Sequence, residues 1–189
     1  DLLVNAGAIA SYLPAAESSV YQEASDFYGG QKVYAETCPQ YLLLDDSVYS
    51  KPDFEGAKYV CAPPIRKKAD QDCLWKALAN DQIQTVATDQ CSFTMEQKAL
   101  GKDDFTKIPG GLPGVQTRGT LLYTYGVRTG RITQEQMCRL LSENAAKLYG
   151  VYPNKGVIRE GSDADIVVFD PEKENVISAK THLYHTDNN

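Results

Sequence analysis

The stretch TVATDQCSF, residues 85–93, decides how the chain is read. It opens as a buried strand of β-branched and small residues and ends on a carboxylate, Asp89. Just upstream, residues 72–80 (DCLWKALAN) carry Cys73, Leu74, Ala77 and Leu78 about a helical turn apart, with Asp70 as the expected N-cap and Asn80-Asp81 as the stop. Upstream again, residues 58–62 (KYVCA) form a short apolar run closed by Pro63-Pro64, which reads as a strand. Strand, helix and strand joined by short links are the mark of a parallel α/β unit. In such folds the loops leaving the carboxyl ends of strands line the pocket, and Asp89 stands at such an end. A carboxylate there can bind a divalent cation, act as a general base, or cap the following turn; the residue type alone leaves all three open.

Outward from this unit the elements continue. Residues 14–28 predict a helix that opens on Pro14 and stops at Gly29-Gly30, and residues 32–36 alternate as a strand that Pro39 forbids to continue. Residues 90–115 hold six Gly or Pro among charges and show no periodicity, so they read as a long loop of the kind that is functional or disordered. Helices are predicted near 117–125 and 133–149, the second opened by the spacing Thr133-x-x-Gln136, interrupted near Ser142 and closed by Gly150. Residues 163–170 (DADIVVFD) read as a last strand.

Composition removes whole classes of function. With 42% hydrophobic and 23% charged residues and no apolar run of about 20, the chain reads as a soluble globular protein with no membrane partner. A net charge of −6 opposes a phosphate backbone, so nucleic acid is not expected as a partner. Five cysteines in unpatterned spacing, without C-x-x-C, point to reduced thiols and a cytoplasmic setting. At 189 residues the chain holds one core but is shorter than the roughly 250 of an eight-fold α/β barrel, so a barrel reading implies part of one.

Seven motifs occur in order: VYAETCPQYLLL, KYVCAPPIR, TDQCSF, QKALGKDDFTKIPGGLPGVQTR, SENAAKLYG, YPNKG and GSDADIVVFDP. Together they resemble the dihydropyrimidinase and hydantoinase family of cyclic amidohydrolases, over about residues 31–186. The resemblance implies an α/β fold: a partial, truncated TIM-type (β/α) barrel of a metal-dependent hydrolase, with the start of a return to a β-sandwich domain. It divides the chain into an unassigned segment 1–30, a barrel part 31–160, and a strand and tail 161–189. It implies hydrolysis of a dihydropyrimidine or hydantoin ring to an N-carbamoyl amino acid by two divalent metal ions, commonly zinc, in a homo-oligomer of two or four chains. The family's metal-binding, proton-shuttling aspartate falls on Asp89. Its main-chain substrate contacts fall on Ala62, in Ala62-Pro63-Pro64, and on Gly110, in Pro109-Gly110-Gly111.

The departures are specific. The H-x-H motif, the metal-bridging lysine and the later histidines of the family are not found, and His182 and His185 are expected in a solvated tail. Gln90 and Gln116 replace residues common in relatives and take no assigned role. The chain is therefore expected to be a fragment cut at both ends and inactive alone. The alternative function is a non-catalytic, dihydropyrimidinase-related scaffold, against which the presence of Asp89 weighs.

Overall fold

A computed structural model of the chain describes residues 34–184, 186 and 187. The helix expected over 14–28, the unassigned segment 1–30 and His185 lie outside the described residues. Among those described, β1 (Glu36–Thr37) and β2 (Thr85–Val86) form a parallel pair, with Glu36 opposite Thr85 and Thr37 opposite Val86. Hydrogen bonds carry the pairing past both ends. The Gln84 N–H reaches Ala35 O at 2.9 Å and the Ala87 N–H reaches Thr37 O at 2.9 Å, while the Gln84 side chain accepts the Ala35 N–H at 2.8 Å. Thr85 Oγ1 donates to Glu36 Oε2 at 2.7 Å, so the charged face of β1 is used within the sheet.

The crossover between the strands contains α1 (Pro39–Leu43) and α2 (Lys68–Ala79). Pro39 at the first helical position loses nothing by lacking an N–H there and stops β1. Leu74, Trp75 and Leu78 of α2 are buried in one cluster with Leu42, and Trp75 Nε1 donates to Leu42 O at 2.9 Å, which gives the indole a polar partner inside the core. Ile83, Val86, Leu122, Ile132 and Leu140 complete one continuous apolar cluster under the strands. Burying a residue of this kind is worth about 1.5–3 kcal/mol, so these side chains hold the strand ends in place.

Beyond β2 the chain turns through α3 (Met95–Lys98), α4 (Arg118–Leu122), α5 (Gln134–Cys138) and α6 (Asn144–Leu148). Thr133 and Gln136 exchange side chain-to-backbone hydrogen bonds of 2.8 and 3.1 Å, forming the expected capping box of α5. A wider π turn, Arg139–Glu143, joins α5 to α6 and includes Ser142, where the interruption was expected. Gly150, at φ +70, ends α6 in the left-handed conformation that glycine adopts without a Cβ penalty.

Several expected elements are not found as read. The segment 58–62 is not a strand. Glu55–Tyr59 winds as a 3-10 turn, and the Val60 carbonyl is taken by the Gly111 N–H and by a lysine instead of a ladder. The partner of β2 is therefore β1, from earlier in the chain. The segment 163–170 forms no strand either. It forms no regular element, with Ile166, Val167 and Val168 exposed, while Lys155 pairs with Asp163 at 2.9 Å and with Asp165. Finally, α2 begins at Lys68, so Asp70 is its third residue, accepting the Lys67 N–H at 3.1 Å rather than serving as the N-cap. Of the α/β reading, the parallel pairing and the crossover stand; the described residues hold only these two strands, and no described helix is long and apolar enough to cross a membrane.

Candidate active site

Asp89 follows β2 by three residues, at the end where the parallel strands finish. Its backbone is left-handed, with φ +49, a conformation that costs most residues and that aspartate tolerates better than most. The side chain is exposed, and among the described residues it takes no hydrogen bond. Capping of the following turn, one of the three roles open to it, falls instead to its neighbour. Gln90 Oε1 accepts the Gly114 N–H at 2.7 Å and the Val115 N–H at 2.9 Å, and Gln90 bridges Leu112.

Ala62 and Gly110, far apart in sequence, are brought together. A Cβ built on Gly110 would stand 3.7 Å from Cys61 Cα and 3.8 Å from Ala62 N, and Gly111 N–H donates to Val60 O at 2.9 Å. Both residues are exposed, and among the described residues the main-chain N–H and C=O of neither is engaged in a hydrogen bond. Pro63, which follows Ala62 through a cis peptide bond, turns its carbonyl inward to Tyr41 Oη at 2.9 Å and Cys61 Sγ at 3.4 Å. Gly111 has φ +152, and a Cβ there would stand 2.3 Å from Cys91 O, so only glycine fits this return.

Burial pushes the Cys38 thiol up to about 12, with the charges of Glu36 and Asp89 adding to it. Burial also raises Cys61 and Tyr41, and the Asp89 charge reaches both. Burial thus favours the neutral thiol at both positions, which makes them poor nucleophiles. Among the described residues no three His, Cys, Asp or Glu converge as a metal site needs. As a set, then, they do not fit a metal centre; Asp89 is a single exposed carboxylate that can furnish one ligand.

The tail is not the solvated one that was expected. The Gln116 side chain accepts the Leu183 N–H at 2.9 Å and donates to Thr181 O at 3.1 Å, while its N–H reaches Tyr184 Oη at 2.7 Å. His182 stands edge-on to Tyr184, 4.9 Å between centroids, and both of its ring nitrogens are buried without a hydrogen bond.

Sequence reading missed Lys98. It is 0% exposed, and its ammonium donates to Val60 O at 2.9 Å, Pro109 O at 2.7 Å and Gly111 O at 3.1 Å. The spacing Thr94-x-x-Gln97, which caps α3, was the available signal that residues 90–115 hold a helical turn and are not all loop.

Known proteins resemble this chain over most of its length. The chain is 53% identical over 161 residues to a D-hydantoinase of Geobacillus stearothermophilus, covering 85% of this chain and 34% of that protein. It is 47% identical over 159 residues to a D-hydantoinase of Streptomyces coelicolor, covering 84% of this chain and 34% of that one. The crystal structure of the dihydropyrimidinase from Brevibacillus agri superposes with a TM-score of 0.84 at 49% identity, over 91% of this chain and 38% of that one. The chain thus spans about a third of the length of the curated relatives it matches. The model of the amidohydrolase family matches residues 24–188, and with these relatives it establishes that the chain belongs to the amidohydrolase family.

Proposed function

We propose that the intact protein opens a cyclic amide ring, a 5,6-dihydropyrimidine or a hydantoin, to an N-carbamoyl amino acid. The observation that carries this reading is a set of unengaged groups: an exposed carboxylate just past the end of β2, and two exposed main-chain segments brought together at Ala62 and Gly110, whose N–H and C=O are spent on nothing else among the described residues. Such rings present N–H and C=O along one edge, which main-chain groups recognise without a particular side chain. Asp89 accepts a proton from the water as its oxygen bonds to the ring carbonyl carbon. The C–N bond then breaks, and Asp89 returns the proton to the departing nitrogen. The relatives named above are called hydantoinases and a dihydropyrimidinase, which does not favour the scaffold alternative.

The remaining features are part of the same proposal. The chain forms the later part of a (β/α) barrel over 31–160, with residues 161–189 leading towards a β-sandwich, and the role of 1–30 is left open. Asp89 supplies one ligand to a centre of two divalent ions, zinc by the resemblance, whose other ligands lie outside the described residues. The protein works in the cytoplasm as a homo-oligomer, consistent with its reduced, unpatterned cysteines.

The test is ring opening of dihydrouracil and of hydantoin by the intact metal-loaded protein and its Asp89→Asn variant. Wild-type turnover of one ring and a fall in kcat of about 10²–10⁴-fold in the variant are expected. No ring opening by the wild type, or a variant as active as the wild type, would overturn the reading.

A further inference from the structure

The groups proposed to hold the ring belong to two loops with no strand ladder between them. Residues 60–64 leave a 3-10 turn, and residues 109–111 close a long excursion from β2. Main-chain recognition requires their spacing to be set to a fraction of an ångström before the ligand arrives. One hydrogen bond joins them directly, from Gly111 N–H to Val60 O. The rest of the joint is the Lys98 ammonium. One of its acceptors, Val60 O, lies two residues before Ala62, and the other two, Pro109 O and Gly111 O, flank Gly110. All three N–H groups of the ammonium are thereby occupied, and the Phe93 ring lies 5.5 Å from Nζ. A buried charge satisfied in this way holds its acceptors more firmly than a neutral donor does. It engages the carbonyls on either side of Gly110 and leaves the N–H and C=O of Gly110 and Ala62, both exposed residues, unengaged among the described residues.

We propose that Lys98 is a positioning residue of this site, whose three-way clamp on Val60, Pro109 and Gly111 sets the spacing at which the Ala62 and Gly110 main chains grip the substrate ring. This rests on the functional reading above. Lys98 touches neither the substrate nor Asp89 in this role, and its full set of acceptors leaves the nitrogen no lone pair for chemistry.

The experiment compares wild type, Lys98→Met and Lys98→Gln in the intact metal-loaded enzyme, by steady-state kinetics and by amide hydrogen exchange. In Lys98→Met, exchange over residues 60–64 and 109–112 should quicken, KM for the ring should rise about tenfold, and kcat should stay within about threefold, the pattern of lost ground-state binding. Lys98→Gln, which keeps a shorter donor, should restore part of both. Unchanged exchange would overturn the clamp, and raised KM would then have another source. Faster exchange with unchanged KM, or a fall confined to kcat, would overturn the positioning role, as would failure of both variants to fold. A wild-type protein that opens neither ring, with exchange still quickened in the variants, would refute the functional reading while upholding the clamp.

Discussion

Two segments reverse the order in which their sequences rank them. Residues 90–115, rich in Gly, Pro and charge, lack any period, yet they wrap a lysine that is 0% exposed and supply two of its three acceptors. Residues 163–170, with the run Ile166-Val167-Val168-Phe169, have the pattern of a strand, yet Val167 is 86% and Val168 92% exposed. Strand composition needs a neighbouring ladder to become a strand, and among the described residues this run has none. A loop needs only enough hydrogen-bond partners. Lys98, Gln90 and the Thr94–Gln97 cap supply them through side chains in place of a ladder.

Gly111→Ala is the harshest way to break that contrast. It forces a left-handed φ on a residue with a Cβ and drives that Cβ against Cys91 O, 2.3 Å away. The strain and the overpacking together should lower stability by about 3 kcal/mol or more, read as a shift in the urea midpoint. A loss under about 1 kcal/mol would mean that the loop yields easily and that its order is not the rigid kind described above.

What was legible in the sequence follows the same division. Asp89 at a strand end, the Thr133–Gln136 cap and the stop at Gly150 were readable because each depends on neighbours within a few residues. The approach of Gly110 to Ala62 came only through the resemblance, since neither residue carries a side chain that announces a partner. Lys98 was not legible, because its acceptors are backbone carbonyls, one of them 38 residues upstream, and every residue has a carbonyl. The false strand at 58–62 failed for the same reason in reverse. Its apolar letters were right for a ladder, but the Val60 carbonyl had already been claimed from across the fold. Gln116 likewise looked idle and proved to be one of the residues that hold the tail.

Thr94→Ala sharpens the contrast more gently. Thr94 Oγ1 accepts the Gln97 N–H at 3.3 Å and Gln97 Oε1 accepts the Thr94 N–H at 2.8 Å, and together they fix the one helical turn that aims Lys98 inward. Loss of the cap should cost about 1 kcal/mol. If the cap also serves the clamp, exchange at the Gly111 amide should quicken in parallel, whereas quickening confined to residues 95–98 would separate the two.

The smallest effect is expected where the sequence looks most strand-like. Replacing Val167 and Val168 together by Thr keeps the β-branch and the shape and changes only the polarity of side chains that already face water. Burial energy scales with the apolar area removed from water, and almost none is removed here, so the urea midpoint of the chain should move by less than about 0.5 kcal/mol. The ion pairs beside the run, from Lys155 to Asp163 and Asp165, are exposed and add little that the substitution could disturb. A loss above about 1 kcal/mol would show that the two valines are covered after all. The run would then be a strand in search of its ladder, and the difference between the two segments would lie in what each has been given to pair with rather than in how each is built.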